Sequence, residues 1–482
     1  MDDRQVKDPI EEIIENTVFE IGGEDQLGKL RDEIRKLGGM AGEEREKAIE
    51  SKWAKFLKDT QIKVGTLLKT DSVSFLIGAG ASRDAGGLLL GKVSKEIEED
   101  LLVKGTAQGK VENWLVLFYQ ATKKLAENSD IVPIQQEGVI NRLERISQDG
   151  ELKANYEAVL SLLYSWRAAL SNRNETLHIS EDFLVQASPK ELDDALREVK
   201  LALACRCILP ATYAAKEPLE AHKTFFKKVL TRPLSLKRAN IFTLNYDTLL
   251  EQAADSEGVV VLDGFVGTLR RIFRPECYDQ DLYFPAETTE GRVHRLDRVI
   301  HLYKLHGSIN WSAERANWDN PYGVYIKDGS TVLDEKVLIY PTPTKYGDIL
   351  GMPYSELFRR FASQVVRPQS TLIVIGYGFG DTHVNAIIRQ ALAVPSFTLV
   401  IVDPAVAPAV AESEHFVARL RARKDRRVWI FSGMTVGTFA GFVRRVLPDL
   451  RDERILEEVM KTYRALKPEP SSEIEGGFGG AK

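Results

Sequence analysis

Cysteine is almost missing from this chain: Cys205, Cys207 and Cys277 are the only three in 482 residues. Three thiols cannot pair completely, which points to a reducing compartment. No CxxC pair occurs, so a structural zinc ribbon is not expected; buried structural thiols and no metal site are. No apolar run is long enough to span a bilayer. The acidic opening MDDRQVKDPIEEIIEN has none of the features of a signal peptide, and the expectation is a cytoplasmic protein. A P-loop GxxxxGK-S/T is also missing, so the sequence carries no sign of ATP-driven work of its own. Nor is there an excess of positive charge. With 65 Lys and Arg against 70 Asp and Glu, the formal net charge is -5, and composition gives no argument for nucleic-acid binding.

What the chain does have is an ordinary globular balance, 44% apolar and 28% charged, at a length beyond what one core fills. Residues 1–70 carry apolar positions at helical spacing (IEEIIENTVFEIG, LGKLRDEIRKLGG, KWAKFLKDTQIKVGTLL). They predict a helical extension, either packed on the main domain or serving as an assembly surface. DSVSFLI at 71–77 predicts a buried strand. Residues 92–235 are mainly helical in period. Strands return at 238–246, 298–306, 336–340, 371–377, 397–404 and 426–433, several followed by amphipathic helices such as DTLLEQAAD and DTHVNAIIRQALA. Strands alternating with helices predict an α/β fold with a doubly wound, mostly parallel, Rossmann-like sheet over 71–450. The tail 467–482, KPEPSSEIEGGFGGAK from Lys467, is expected to be disordered.

The unusual residues fall where such sheets bind ligands, at the carboxyl ends of strands. Gly78-Ala79-Gly80-Ala81-Ser82 reads equally as a plain strand-to-helix turn or as a phosphate cradle. It lacks the third glycine of the dinucleotide fingerprint, since Arg83 stands there. Thr243-Leu244-Asn245-Tyr246-Asp247 places an amide and a carboxylate at a strand end; Asp247 reads as a helix cap, a ligand-holding group, or both. His306, in KLHGS, has the pKa range for proton transfer near neutrality, though a lone histidine is more often structural than catalytic. Gly376-Tyr377-Gly378-Phe379-Gly380-Asp381 implies a second close backbone approach, with Asp381 capping the next helix. Asp403 closes a strand where a carboxylate can bond ribose hydroxyls.

In this order, GAGAS, TLNYD, LHGS, GYGFGD and VDP resemble the Sir2 (sirtuin) NAD-binding domain. The likeness is strongest to its divergent bacterial branch, the SIR2-like NAD hydrolases of antiphage defence, and covers roughly residues 71–445. The resemblance implies that Gly78, Ala79, Gly80 and Ser82 hold the NAD diphosphate. Thr243, Asn245 and Asp247 would serve the nicotinamide ribose and carboxamide, and His306 would be the catalytic histidine. Gly376, Tyr377, Gly378, Asp381 and Asp403 would line the adenosine side.

Three departures stand out: no zinc module, GGLLLGKVS in place of the Pro-Asp-Phe-Arg stretch, and residues 81–242 between the first two motifs. They argue against peptide deacetylation and for cleavage of NAD by water, with Asn245, His306 and Asp247 as the catalytic set. PTPTKY at 341–346 also fits the divergent branch. A homo-oligomer, and a partner such as a HerA-type ATPase, are further expectations of the resemblance. The alternatives are a deacylase, an ADP-ribosyltransferase, or a non-catalytic module that binds NAD or ADP-ribose.

Overall fold

The computed structural model describes residues 9–40, 42–87, 90–107, 111–125, 156–170, 177–178, 186–210, 216–285, 293–327, 352–406, 413 and 415–466. The expected strand at 336–340, the PTPTKY stretch and the tail 467–482 lie outside them.

Nine strands form the central sheet. They are β1 (Val18–Ile21), β2 (Glu24–Asp25), β3 (Ser72–Ile77), β4 (Asn240–Thr243), β5 (Val260–Leu262), β6 (Val299–Lys304), β7 (Ser370–Ile375), β8 (Thr398–Val402) and β9 (Val428–Ser432), in the spatial order β2-β1-β9-β8-β7-β3-β4-β6-β5. From β9 to β5 every pairing is parallel. The chain runs outward from β3 through β4 to β6, then returns to the other side of β3 to lay down β7, β8 and β9. The order therefore reverses between β3 and β7, the kind of crevice in which doubly wound sheets bind ligands.

β3 and β7 are buried at all six positions, as parallel strands covered on both faces must be. Alternation then splits their side chains between two layers. Phe75, Ile77, Ile373 and Ile375 join the core under helices Glu43–Leu67, Glu220–Val229 and Phe439–Arg445. Leu76, Leu372 and Val374 join the opposite core, under Tyr354–Val365 and Thr382–Leu392. Between β3 and β4, helices Leu90–Thr106, Asn113–Leu125, Tyr156–Leu170 and Pro189–Cys205 gather around a third apolar cluster of their own.

The reading of 1–70 as helical needs correction. A helix spans Pro9–Glu15, but Val18–Ile21 is a strand paired antiparallel with β9, Phe19 opposite Phe431. The two rings stack at 4.3 Å. The apolar positions of IEEIIENTVFEIG suit a helix, yet VFEI also alternates with a β-branched and an aromatic residue, and an open sheet edge with a phenylalanine to cover decided between them.

Candidate functional site

The two glycine turns owe their composition first to each other. Gly78 follows β3, and a Cβ there would lie 2.5 Å from the carbonyl oxygen of Gly376. One on Gly80 would lie 2.8 Å from the Gly376 Cα. Gly376 has φ +66, a left-handed conformation that favours glycine, and a Cβ on it would meet Ala81 N at 2.8 Å. The Gly80 N–H donates to Gly376 O at 2.9 Å, locking the turns together at the switch point. Gly378 and Gly380 differ: both are exposed, and among the described residues a Cβ on either would meet nothing within 4 Å.

The TLNYD loop lies directly against the first turn. Thr243 Oγ1 donates to Ile77 O at 3.0 Å and accepts the Asn245 N–H at 3.1 Å. The Asn245 amide then donates to Gly78 O and to Ser82 Oγ, both at 3.0 Å. Ser82, buried, donates to Asp247 Oδ2 at 2.6 Å. Asp247 Oδ1 accepts the Leu249 N–H at 3.1 Å, at the start of helix Leu249–Ser256. Both Asp247 oxygens are thus engaged within the protein, and this carboxylate acts as a bracket between the first turn and the next helix. Asn245 remains half-buried.

His306 stands two residues past Lys304, whose partner across the sheet is Thr243. Its loop is tied back to the TLNYD loop: Ser308 Oγ and the Ile309 N–H both donate to Tyr246 O, at 3.2 and 3.0 Å. His306 Nε2 lies 3.2 Å from Asp381 Oδ2. Asp381 Oδ1 accepts the His383 N–H at 2.9 Å and the Val384 N–H at 3.3 Å, capping helix Thr382–Leu392. One carboxylate therefore serves both a helix N-terminus and an imidazole. Tyr377 is buried; its hydroxyl accepts the Asp381 N–H at 2.9 Å and donates to Asn385 Oδ1 at 3.2 Å, which shapes the turn from within.

Asp403, after β8, is partly buried, and its Oδ1 accepts the Ala405 N–H at 2.9 Å. Burial raises its carboxyl above the usual range, opposed by that N–H. All the predicted site residues thus lie at the carboxyl edge of the sheet. The closest-knit set is Gly78, Ser82, Asn245 and Asp247; His306 and Asp381 form a second pair.

Several polar residues near the site were not predicted. Lys304 is buried and ion-paired with Glu251; a lysine inside the apolar run VIHLYKL was the signal. His222 is fully buried beside Phe439, ring centroids 4.7 Å apart, with Nδ1 lacking a hydrogen-bond partner. Burial lowers its pKa to about 4, while Asp247 and Asp84 pull upward. Cys207 is pushed up to about 12, by burial first and then by Asp247, so it is an inert thiol. Tyr246, flanked by Asn245 and Asp247, packs against the apolar cluster of the inserted helices.

A cavity of about 30 Å³ lies at the opposite, amino edge of β4 and β6, among Arg232, Arg238 and Arg295. It has room for little more than a water, and its arginines already serve backbone carbonyls and Asp281. It is remote from the strand ends that carry the site. Among the described residues no group of three or more His, Cys, Asp or Glu side chains is placed to hold a metal ion. No described helix is long and apolar enough to cross a membrane.

Residues 239–422 match the SIR2-like domain family. The matched stretch holds Asn245, Asp247, His306, the second glycine turn and Asp403 but begins after Gly78–Ser82, and it is less than half of the chain. No curated protein matches. Among solved structures, a Sir2 homologue in complex with NAD is similar at 13% identity and TM-score 0.34, over 83% of this chain and 94% of that one. A serine-to-alanine mutant of a Sir2 homologue with ADP-ribose is similar at 12% identity and TM-score 0.29, over 84% and 98%. A histidine-to-asparagine mutant, also with ADP-ribose, matches at 13% and 0.30, over 80% and 97%. Identities and TM-scores this low support no residue-level correspondence.

Proposed function

We propose that this chain is an NAD+ glycohydrolase that cleaves the nicotinamide–ribose bond with water, giving nicotinamide, ADP-ribose and a proton. One observation carries the reading. The Asn245 amide and the His306 imidazole emerge from adjacent parallel strands, two residues past the paired Thr243 and Lys304, and Asn245 is bonded to the first glycine turn. An amide, an imidazole and a glycine turn at one sheet edge are what a dinucleotide with a labile glycosidic carbon requires.

In the reaction the C1′–N bond breaks with its electron pair passing to the pyridinium ring, so nicotinamide leaves neutral. Positive charge develops on the ribose, and catalysis consists in stabilising that charge and directing one water to C1′. Asn245, its donors already committed to Gly78 O and Ser82, presents its carbonyl oxygen to the water or a ribose hydroxyl. His306, held by Asp381, accepts the proton from the water or the hydroxyl beside it. The first glycine turn takes the diphosphate, and Gly378, Gly380 and Asp403 serve the adenosine side of the substrate.

The test is NAD+ consumption and product analysis with purified protein. His306→Ala should lower the rate by roughly 10²–10⁴-fold if the imidazole is the general base, and Asn245→Ala should also lower it. Full activity in both variants overturns the assignment, and a modified acceptor in place of free ADP-ribose would make the chain a transferase. An antiphage role through NAD+ depletion, homo-oligomerisation and a HerA-type ATPase partner belong to the same proposal; their support is the motif resemblance alone.

A further inference from the structure

A buried lysine lies beneath the two loops that carry Asn245 and His306. Lys304, the last residue of β6, is 3% exposed. Its ammonium donates to the backbone carbonyl of Asp247 and to Glu251 Oε1, the latter at 2.9 Å. Glu251 sits in the first turn of the helix that follows Asp247. Its second oxygen is buried with no hydrogen-bond partner among the described residues.

As a way of holding a fold together this arrangement is poor. Two charges are taken from water, one carboxylate oxygen is left unpaired, and apolar substitutes for such pairs are often neutral or stabilising. β4 and β6 need no help, being already zipped in register. What the strand ladder cannot do is set the chain beyond its own end. The Leu305 N–H donates to Thr243 O, and the next main-chain link between these loops is Ile309 to Tyr246. Asn245 and His306 both fall in the interval between those links. The Lys304 ammonium adds a further tie just outside that interval, at the Asp247 carbonyl, two residues past Asn245, from a position two residues before His306.

We infer that Lys304, oriented by Glu251, is a positioning residue that sets the separation of the Asn245 amide and the His306 imidazole. The inference rests on the proposal that these two side chains act on one substrate. Lys304 itself touches no reacting atom; it acts through main chain. A misplacement of about 1 Å can cost on the order of 100-fold in rate, so a clamp of this kind need not add stability to matter.

The experiment uses the full chain with Lys304→Met, Lys304→Arg and the double variant Lys304→Met/Glu251→Gln, which leaves no stranded charge. Three readouts are taken: steady-state NAD+ cleavage, ADP-ribose binding by calorimetry, and the His306 ring resonances in protein carrying labelled histidine. The double variant should fold and bind ADP-ribose, yet lose roughly 10- to 100-fold in kcat with KM near the wild-type value. Its His306 resonances should shift, and Lys304→Arg should recover part of the rate.

A folded double variant with wild-type kcat and unshifted His306 resonances overturns the inference. Wild-type protein that binds ADP-ribose but leaves NAD+ intact would instead overturn the hydrolase reading. The His306 resonances would still decide whether Lys304 positions that ring.

Discussion

His306 and Asp381 meet across the width of four strands. The imidazole follows β6 and the carboxylate follows β7, with β4 and β3 lying between them. Three strand spacings amount to roughly 14 Å, yet His306 Nε2 and Asp381 Oδ2 are 3.2 Å apart. The second glycine turn closes that gap by bending over the first, and Gly376 at φ +66 is where it bends. The His306–Asp381 contact is therefore a strap over the strand ends, with the first glycine turn and Asn245 beneath it.

Asp381→Asn separates the two duties of that carboxylate. Asparagine caps helices about as well as aspartate, so the melting temperature should barely move. The carboxylate oxygen that orients the His306 ring is replaced by an amide, and kcat should fall, by less than the roughly 10²–10⁴-fold expected for His306→Ala. Thermal melts paired with steady-state kinetics of the variant and of wild type check it.

Gly376→Ala and Gly378→Ala should part company. At Gly376 the new Cβ meets main-chain atoms of Gly80 and Ala81 at 2.8 Å in a left-handed conformation. The conformation alone costs about 1–2 kcal/mol, and backbone contacts cannot swing aside. At Gly378 no described residue lies within 4 Å of the new Cβ, so stability should stay within about 0.5 kcal/mol of wild type. If the open side of this turn takes the dinucleotide, Gly378→Ala raises KM instead. Thermal melts paired with NAD+ kinetics read both.

Ser82→Ala removes the hydroxyl shared by Asn245 and Asp247. Asp247 Oδ2 loses its donor in a buried setting, and Asn245 keeps only Gly78 O. A stability loss of about 1–3 kcal/mol is expected from the stranded acceptor, measured by chemical denaturation.

His222 should make stability depend on pH. Its pKa is lowered from 6.5 to about 4 by burial, so between those values the unfolded chain takes up a proton that the folded chain refuses. The stability present above pH 6.5 is then lost as pH falls toward 4, by on the order of 3 kcal/mol in full. His222→Phe keeps a ring against Phe439 and should flatten this part of the profile. Melting temperatures of both proteins from pH 7 to pH 4.5 test it; parallel curves would count against the assignment.

Strand runs such as SFLI, TLIVI and FTLVIV were legible in the sequence because burial on both faces writes itself as an unbroken apolar segment. The polar and glycine residues at their ends were legible because they interrupt such segments. The chain alone thus determined which residues stand at strand termini, and in what order. Only the tertiary structure decided their company.

Strand order is set by long-range crossovers that no local period encodes, so the return of the chain to the far side of β3, which brings Gly376 against Gly80, could not be read in advance. The strand at 18–21 became one because an unpaired edge and Phe431 were waiting for it, where its spacing suited a helix as well. His306 acquired Asp381, and Lys304 its grip on Asp247, through contacts between loops that the sheet sets side by side. Periodicity records whether a residue is buried, but pairing between distant segments is a property of the folded whole.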